Sequence, residues 1–158
     1  MLTLQRLKQL FTYNPDTGIF IRNSTKKISG TTKSRYVQML VDQKQYYAHR
    51  LAWMYCYGTL PSMNIDHING NKRDNRIKNL REATISENGQ NRGKQKNNTS
   101  GFKGVSLCKK SKKWIASIRK NNKSKYLGCF TDAEKAHEAY KEAAKILHTH
   151  NPEATNVS

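Results

Sequence analysis

Residues 65–91 read I-D-H-I-N-G-N-K-R-D-N-R-I-K-N-L-R-E-A-T-I-S-E-N-G-Q-N, and the expected fold follows from this stretch. Short apolar runs lie on both sides of a Gly/Asn-rich turn, a pattern typical of two short strands. Thr84-x-x-Glu87 has the spacing of a capping box, in which the threonine accepts from a first-turn amide and the glutamate reaches back. The stretch therefore predicts a two-stranded hairpin with a helix folded across it.

Four polar residues of this stretch carry groups that are used in hydrolysis. Asp66 and His67 stand side by side at the end of the first strand, and Asn79 and Asn88 follow thirteen and twenty-two residues after Asp66. One carboxylate, one imidazole and amide oxygens are the groups of a metal-dependent hydrolytic site. Strict alternation places Asp66 and His67 on opposite faces, so we expect the strand to end or twist there. The alternative is a surface Asp–His pair in an Asn-rich loop, against which the asparagines and the capping box count.

Three short motifs in the stretch match a known pattern. D-H-x-x-G occupies residues 66–70, D-N-R-x-x-N-L-R occupies 74–81, and E-N-x-x-N occupies 87–91. With these motifs the stretch resembles the HNH (ββα-metal) endonucleases, and the region before it is similar to the leader of homing-type enzymes of phage and intron origin. The resemblance implies a small ββα-metal nuclease domain.

The resemblance also implies a role for each polar residue. His67 is the general base that deprotonates water, and Asn79 holds its imidazole. Asp66 with Asn88 binds one divalent metal. A neutral histidine can take a proton from water at physiological pH, and the metal neutralises charge that develops on the scissile phosphate. Asn88 stands where many members carry histidine, and two oxygen ligands suit Mg²⁺ or Mn²⁺ better than Zn²⁺.

The cysteines give no sign of a structural metal. Cys56, Cys108 and Cys129 lie far apart in the sequence and form no C-x-x-C pair. We therefore expect neither a disulfide nor a structural zinc, and we expect packing to hold the core.

Residues 1–62 are expected to form a β-rich support for the nuclease hairpin. Leucines near the start fit a short amphipathic helix, a turn at 14–18 follows, and short strands lead to a helix over 49–55. His49 and Arg50 open that helix. We interpret His49 as structural rather than catalytic, and Arg50 as a phosphate contact or the partner of an acidic neighbour.

Residues 89–100 have no apolar side chain and predict a basic linker. Lys94 and Lys96 in this segment are expected to follow the DNA backbone, and Arg76 in the hairpin is expected to contact DNA as well. The predicted organisation is a nuclease domain with its support at 1–88, a linker at 89–100 and a DNA-binding domain at 101–150.

Residues 101–150 predict a three-stranded antiparallel sheet packed on one helix, which makes the whole chain α+β. The helix is expected to begin at a capping box, Thr131-x-x-Glu134, and its alanines recur at three and four residues to form one apolar face. Alternation along the middle strand sends Trp114, Ala116 and Ile118 to the helix and leaves Ile115, Ser117 and Arg119 on the open face of the sheet.

Four motifs carry a second resemblance, which covers about 50 residues. G-V, K-W-x-A-x-I-R, L-G-x-F and A-x-x-A-Y-x-x-A-A look like an APETALA2 (ethylene-response-factor-type) DNA-binding domain. In that family the open face of the sheet lies in the major groove. The resemblance places these residues toward DNA: Lys103, Ser106, Ser117, Arg119, Ser124 and Tyr126. Arg119 is the strongest candidate for a bidentate contact to guanine.

The composition supports double-stranded DNA as the partner. Lysine and arginine total 29 against 11 acidic residues, giving a formal charge of +18, and this excess is spread over both halves of the chain. No apolar run approaches the roughly 18 residues of a membrane span, and no signal peptide opens the chain, so we expect a cytoplasmic protein without a membrane partner. Neither a heptad seam nor an exposed apolar run predicts a dimer, so we expect a monomer.

These features support one function above two others. The favoured hypothesis is a metal-dependent DNA endonuclease that nicks one strand at a site located by its C-terminal domain. The alternatives are a sequence-specific DNA-binding regulator with an inactive nuclease head, and an RNA-binding protein whose basic sheet offers Tyr126 for base stacking.

Overall fold

The computed structural model describes residues 2–94 and 97–150. The chain divides into two compact units, Met1–Ala83 and Thr84–Ser158. This division lies just ahead of the predicted nuclease helix, whereas the sequence places the end of the nuclease domain after residue 88. The helix of the HNH stretch is therefore part of the second unit.

The first unit is a series of short strands between helices. Its elements are, in chain order, α1 (Leu4–Leu10), β1 (Phe11–Asn14), β2 (Ile19–Arg22), β3 (Ile28–Ser29), β4 (Gln38–Val41), β5 (Lys44–Tyr47), α2 (Ala48–Tyr57), β6 (Asn64–His67), a 3₁₀ turn (Ile77–Asn79) and β7 (Leu80–Ala83). Strands β1, β2 and β3 form one antiparallel sheet, β4 and β5 form a hairpin, and β6 pairs with β7. The predicted β-rich support is confirmed.

The core of the first unit lies between its two helices and the β1–β2 hairpin. Leu7, Phe11 and Leu51 have no exposed surface, and each stabilises the fold by about 1.5–3 kcal/mol through burial. Helix α2 ends at Gly58, which adopts the left-handed conformation and donates its N–H to the Met54 carbonyl. The core thus fixes the start of α2 beside the strands that carry the candidate site.

The β6–β7 pair is the hairpin that the sequence predicts. Asp66 lies opposite Arg81 and His67 opposite Leu80, and the strand β6 ends at His67 as expected. Both Asp66 and His67 are 4% exposed, so burial does not alternate at this point of the strand. The short pair is therefore covered on both faces, and two adjacent polar residues of β6 are held inside the protein.

The second unit contains a short helix, a sheet and a long helix. Its elements are α3 (Ile85–Gln90), β8 (Val105–Cys108), β9 (Lys113–Lys120), β10 (Lys123–Phe130) and α4 (Ala133–Leu147). The sheet has the order β10-β9-β8 and is antiparallel throughout. Ala116 and Ile118 of β9 are buried under α4. The predicted packing of a three-stranded sheet on one helix is therefore confirmed, as is the prediction that these two residues of the middle strand face the helix.

Two details of the second unit differ from the sequence predictions. The N-cap of α4 is Asp132, which accepts from the Glu134 amide at 2.7 Å, so the predicted cap at Thr131 is wrong by one residue. Gln90 and Asn91 are buried, although the sequence assigns them to a solvated linker. Gln90 Oε1 accepts from the Thr149 and His150 amides, and no local pattern reveals these hydrogen bonds.

Among the helices of the described ranges, none has the length and apolar character needed to cross a membrane.

Candidate functional site

The candidate metal ligand Asp66 is held by an arginine across the hairpin. Nε and Nη2 of Arg81 both donate to Oδ2 of Asp66, at 3.0 and 2.8 Å. The side chains are 5% exposed for Asp66 and 21% for Arg81, so this is a largely buried ion pair. Arginine at this register position compensates the negative charge of a buried carboxylate.

The candidate base His67 lies beside Asp66 at the end of β6. Burial lowers the pKa of its imidazole, and the hydrogen bond with Asn75 opposes this shift in part. His67 is consequently neutral at physiological pH, the form that can accept a proton. Nε2 of His67 lies 3.4 Å from Oδ1 of Asn75.

Asn79, which the HNH resemblance assigns to the imidazole, uses its amide on the backbone of the loop. Its Nδ2 donates to the Asp74 carbonyl at 2.8 Å, and its Oδ1 accepts from the Asn69 amide at 3.0 Å. Asn79 is 5% exposed, and its backbone carbonyl accepts from the backbone N–H of Ile68. These bonds tie both ends of the loop between β6 and β7 together.

Asp74 also forms several hydrogen bonds within this loop. Arg76 donates from Nε at 2.8 Å and, with Asn69 and the Arg76 backbone, lowers the pKa of Asp74 to about 2. The guanidinium of Arg76, predicted to contact DNA, is thus directed by an ion pair within the loop, while 39% of its side chain remains exposed. Part of the Arg76 side chain is therefore accessible to solvent.

Aromatic rings surround His67. The centroid of His49 lies 5.1 Å away with an edge-on ring, and that of Tyr36 lies 6.0 Å away. Tyr47 stacks on His49 at 5.4 Å, and the Lys72 ammonium lies 4.8 Å from the Tyr36 centroid. Residues 36, 47 and 49 precede the stretch 65–91 that carries the three motifs, so motif spacing gave no signal for these neighbours.

His49 is itself buried and neutral. Burial is the main cause that lowers the pKa of His49 to about 3, and electrostatic interaction with His67, Arg50 and Lys72 lowers it further. Its Nδ1 is buried and has no hydrogen-bond partner within the part of the chain that the structure describes. The interpretation of His49 as a non-catalytic residue stays a prediction, but its ring does form part of the wall around the candidate base.

Arg50 faces the backbone ahead of β6. Its Nη2 donates to the Pro61 carbonyl at 3.0 Å and its Nη1 to the Met63 carbonyl at 3.3 Å. The Glu82 carboxylate accepts from the Ser62 and Met63 amides of the same segment. Arg50 therefore helps to fix the entry to β6, and the DNA contact predicted for it remains a proposal.

Asn88, the other candidate metal ligand, lies in α3 of the second unit. The predicted capping box is confirmed, because the Thr84 hydroxyl accepts from the Glu87 amide while the Glu87 carboxylate accepts from the Thr84 amide. The backbone N–H of Asn88 donates to the Thr84 carbonyl at 2.9 Å. The side chain of Asn88 is half-buried. Two other residues of α3 attach it within the unit, since Ser86 accepts from the Asn121 amide and Gln90 accepts from the Thr149 amide.

The donor atoms named for a metal are hard oxygens, a carboxylate from Asp66 and an amide from Asn88. Such donors fit Mg²⁺ or Mn²⁺, with water and phosphate oxygens as further ligands. Across residues 2–94 and 97–150, no three side chains of the His, Cys, Asp and Glu types gather in a group that could hold a metal ion. A metal here depends on the Asp66–Asn88 pairing, which stays a proposal.

Four of the predicted DNA contacts lie on the open face of the second unit. Ser117 pairs with Tyr126, and Arg119 pairs with Ser124, so these side chains share one face of the sheet. Tyr126 is 62% exposed and Arg119 is exposed as well. A polar, basic face with one exposed ring is compatible with nucleic-acid contact.

The predicted lysine contacts have different surroundings. Lys103 Nζ donates to the Gln90 carbonyl and lies 5.9 Å from the Tyr140 centroid, so it helps to attach α3 to the sheet. Lys94 is exposed, with its Nζ 3.4 Å from the Gly101 carbonyl. Lys96 lies outside the described residues.

Comparison with known proteins bears on the HNH stretch. Residues 46–90 match a family model described as HNH endonuclease, and this match takes in Asp66, His67, Asn79 and Asn88. The chain is also similar to Protein 3.8 of Escherichia phage T7, at 36% identity over 85 residues, which is 51% of this chain and 70% of the phage protein. No solved structure matches.

Proposed function

Because the chain belongs to the HNH endonuclease family, we propose that it is a metal-dependent DNA endonuclease that hydrolyses one phosphodiester bond of a double-stranded substrate. The observation that carries this proposal is the buried Asp66–His67 pair at the end of β6, within the matched region. The phage relative supports a phage origin, and we propose that the protein acts in the host cytoplasm as a monomer.

His67 takes the proton of the attacking water in this proposal. Its neutral state at physiological pH, a consequence of burial, suits a general base. A divalent metal, Mg²⁺ or Mn²⁺, held by Asp66 and Asn88, supplies the charge that stabilises the phosphate as it is cleaved. Asp66 is already oriented for this task by Arg81 across the hairpin.

Asn79 has an indirect part in the reaction. Its two hydrogen bonds to Asn69 and Asp74 fix the loop that begins directly after His67. We propose that it positions the base by holding this loop rather than by touching the imidazole. Arg76 and Arg50, on the same unit, are proposed to contact DNA phosphates, which the charge of +18 on the chain supports.

The second unit is proposed to locate the cleavage site. Its three-stranded sheet on one helix has the architecture that the APETALA2 resemblance implies, with Ser117, Arg119 and Tyr126 on the open face. We propose that this face enters the major groove and that Arg119 reads a base edge. Lys94 and Lys96 are proposed to follow the DNA backbone, and Lys103 is proposed to contact DNA as well.

A plasmid assay tests the proposed function. Purified protein with supercoiled plasmid and Mg²⁺ should produce the nicked circle, and EDTA should prevent it. His67→Ala should bind plasmid without nicking it. Binding without any cleavage by the wild-type protein would favour the alternative, a DNA-binding regulator with an inactive nuclease head, for which the arginine on Asp66 is the supporting observation.

A further inference from the structure

The side-chain amide of Asn75 is oriented by its own loop. Asn75 is 3% exposed, its Nδ2 lies 3.4 Å from the Arg73 carbonyl, and its Oδ1 lies 3.4 Å from Nε2 of His67. An amide nitrogen only donates and an amide oxygen only accepts. The carbonyl of Arg73 therefore determines that the oxygen of Asn75 is the end that faces the imidazole.

This orientation decides which tautomer of His67 is favoured. Facing an acceptor, Nε2 must carry the hydrogen of the neutral ring, and the lone pair of that tautomer is on Nδ1. A base whose tautomer is fixed presents the same nitrogen to every substrate.

The backbone of Asn75 is held by the β1–β2 hairpin. The Tyr13 hydroxyl donates to the Asn75 carbonyl at 2.7 Å, and the Ile77 amide donates to the Pro15 carbonyl at 3.2 Å. Gly18 in the turn of this hairpin packs so closely that a Cβ on it would lie 2.6 Å from the carbonyl carbon of Asn75. The hairpin and the loop thus fit together without room for a side chain between them.

The imidazole has little freedom to turn away from Asn75. His49 meets it edge-on at 5.1 Å between centroids and Tyr36 lies at 6.0 Å. His67 itself is 4% exposed. Packing therefore restricts the ring while the amide selects its tautomer.

We infer that Asn75 is the positioning residue of the base His67, and that the β1–β2 hairpin keeps it in place. The inference rests on the proposed function for the role of His67 as base. It assigns the contact with the imidazole to Asn75 and leaves to Asn79 the task of holding the loop. Two asparagines of one loop thereby have separable effects.

The experiment uses four variants of the full chain. Asn75→Ala removes the acceptor, and Asn75→Asp keeps an acceptor opposite Nε2. Tyr13→Phe removes only the hydroxyl that holds the Asn75 carbonyl. Asn64→Ala, an exposed asparagine on the same strand as His67, is the matched control.

The first measurement is the tautomer of His67, read from imidazole ¹⁵N shifts of the metal-free protein at one pH where the ring is neutral. Wild type, Asn75→Asp and Asn64→Ala should show the Nε2–H form, and Asn75→Ala a mixture of both tautomers. This readout does not require cleavage, so it tests the inference even if the wild-type protein fails to nick DNA. An unchanged tautomer in Asn75→Ala overturns it.

The second measurement is plasmid nicking. Asn75→Ala should lower kcat by about 10- to 100-fold with KM for DNA nearly unchanged, because outer positioning residues act on the reacting group rather than on binding. Asn75→Asp should recover most of this loss, and Tyr13→Phe should show a smaller loss in the same direction. Should Asn75→Ala fail to fold, Tyr13→Phe decides: wild-type kcat with a wild-type tautomer in that variant refutes the role of the hairpin and with it the inference.

Discussion

Arg81 and Asp66 face each other across the β6–β7 pair, and two nitrogens of the guanidinium donate to the same carboxylate oxygen, Oδ2. The register of the hairpin makes this contact, because residues that pair directly on neighbouring strands have side chains within reach. The negative charge that is proposed to bind a metal thus already has a cationic partner in the protein alone.

Removing that partner should destabilise the first unit in a metal-dependent way. Arg81→Ala removes the guanidinium that pairs with the buried Asp66 carboxylate, which should cost about 3 kcal/mol in the free energy of unfolding. If Asp66 binds Mg²⁺, saturating Mg²⁺ should restore about 2 kcal/mol or more of this loss, since a ligand that binds only the folded state stabilises it. Urea denaturation with and without Mg²⁺ measures both effects.

The double variant Asp66→Asn with Arg81→Ala is the control for this test. Without the buried charge, Mg²⁺ should not change the midpoint of unfolding. Equal stabilisation by Mg²⁺ in the single and double variants would place the cation elsewhere.

Loss of the base should separate cleavage from binding. His67→Ala removes the imidazole at the end of β6, so the rate of nicking should fall by about 10²- to 10⁴-fold, the range for a general base. DNA affinity should stay within about twofold in a gel-shift assay, since electrostatic contacts with phosphates dominate affinity. Nicking by His67→Ala at the wild-type rate would show that another group activates the water.

The sequence predicted the hairpin and the cap of α3 because both depend on residues three to nineteen positions apart, whose spacing determines the contact. It did not predict that Asn75 meets His67, a contact that the HNH resemblance assigns to Asn79. Asn75 and Asn79 lie in one loop, and only its backbone path decides which amide points at the ring. Nor did it predict His49 beside His67, because packing of α2 on the core rather than any motif brings them together.

The buried histidine His49 should make the protein sensitive to acid. Its pKa is lowered to about 3 in the folded state, against about 6.5 when unfolded. Between these values the unfolded chain binds a proton that the folded protein excludes, so the free energy of unfolding falls as the pH is lowered. From pH 6.5 to pH 5, His49 alone should account for a loss of about 2 kcal/mol.

Urea denaturation at several pH values measures this loss, and His49→Phe is the informative variant because it keeps a ring against Tyr47 without a titrating group. Its stability should decline less steeply below pH 6.5 than that of wild type, by about 1.4 kcal/mol per pH unit. Burial also lowers the pKa of His67, so some acid sensitivity should persist. Identical slopes for both proteins would be inconsistent with a neutral, buried His49.

Two glycines of the second unit should respond to alanine in opposite ways. Gly104 has φ of +76°, and a Cβ there would collide with the Tyr140 ring, so Gly104→Ala should destabilise the unit by about 1–3 kcal/mol. Gly89 lies in α3 with open space around it, so Gly89→Ala should stabilise the helix by about 0.5–1 kcal/mol. Thermal unfolding of the two variants beside wild type checks the signs, and a neutral Gly104→Ala would contradict the close packing of α4 on the sheet.

Arg119 and Lys120 offer a matched test of the proposed DNA face. Both are exposed cations and they are neighbours on β9, so alternation directs them to opposite faces of the sheet. Arg119→Ala should reduce the preference for the cognate site by about 1–3 kcal/mol, the energy of a bidentate base contact. Lys120→Ala should leave that preference intact. If Lys120 binds a phosphate, its removal should reduce the slope of log affinity against log salt concentration by about 0.9.

The measurement is competition between cognate and unrelated duplexes over a range of salt concentrations. Equal effects of the two substitutions on site preference would mean that charge, and not the open face of the sheet, governs recognition.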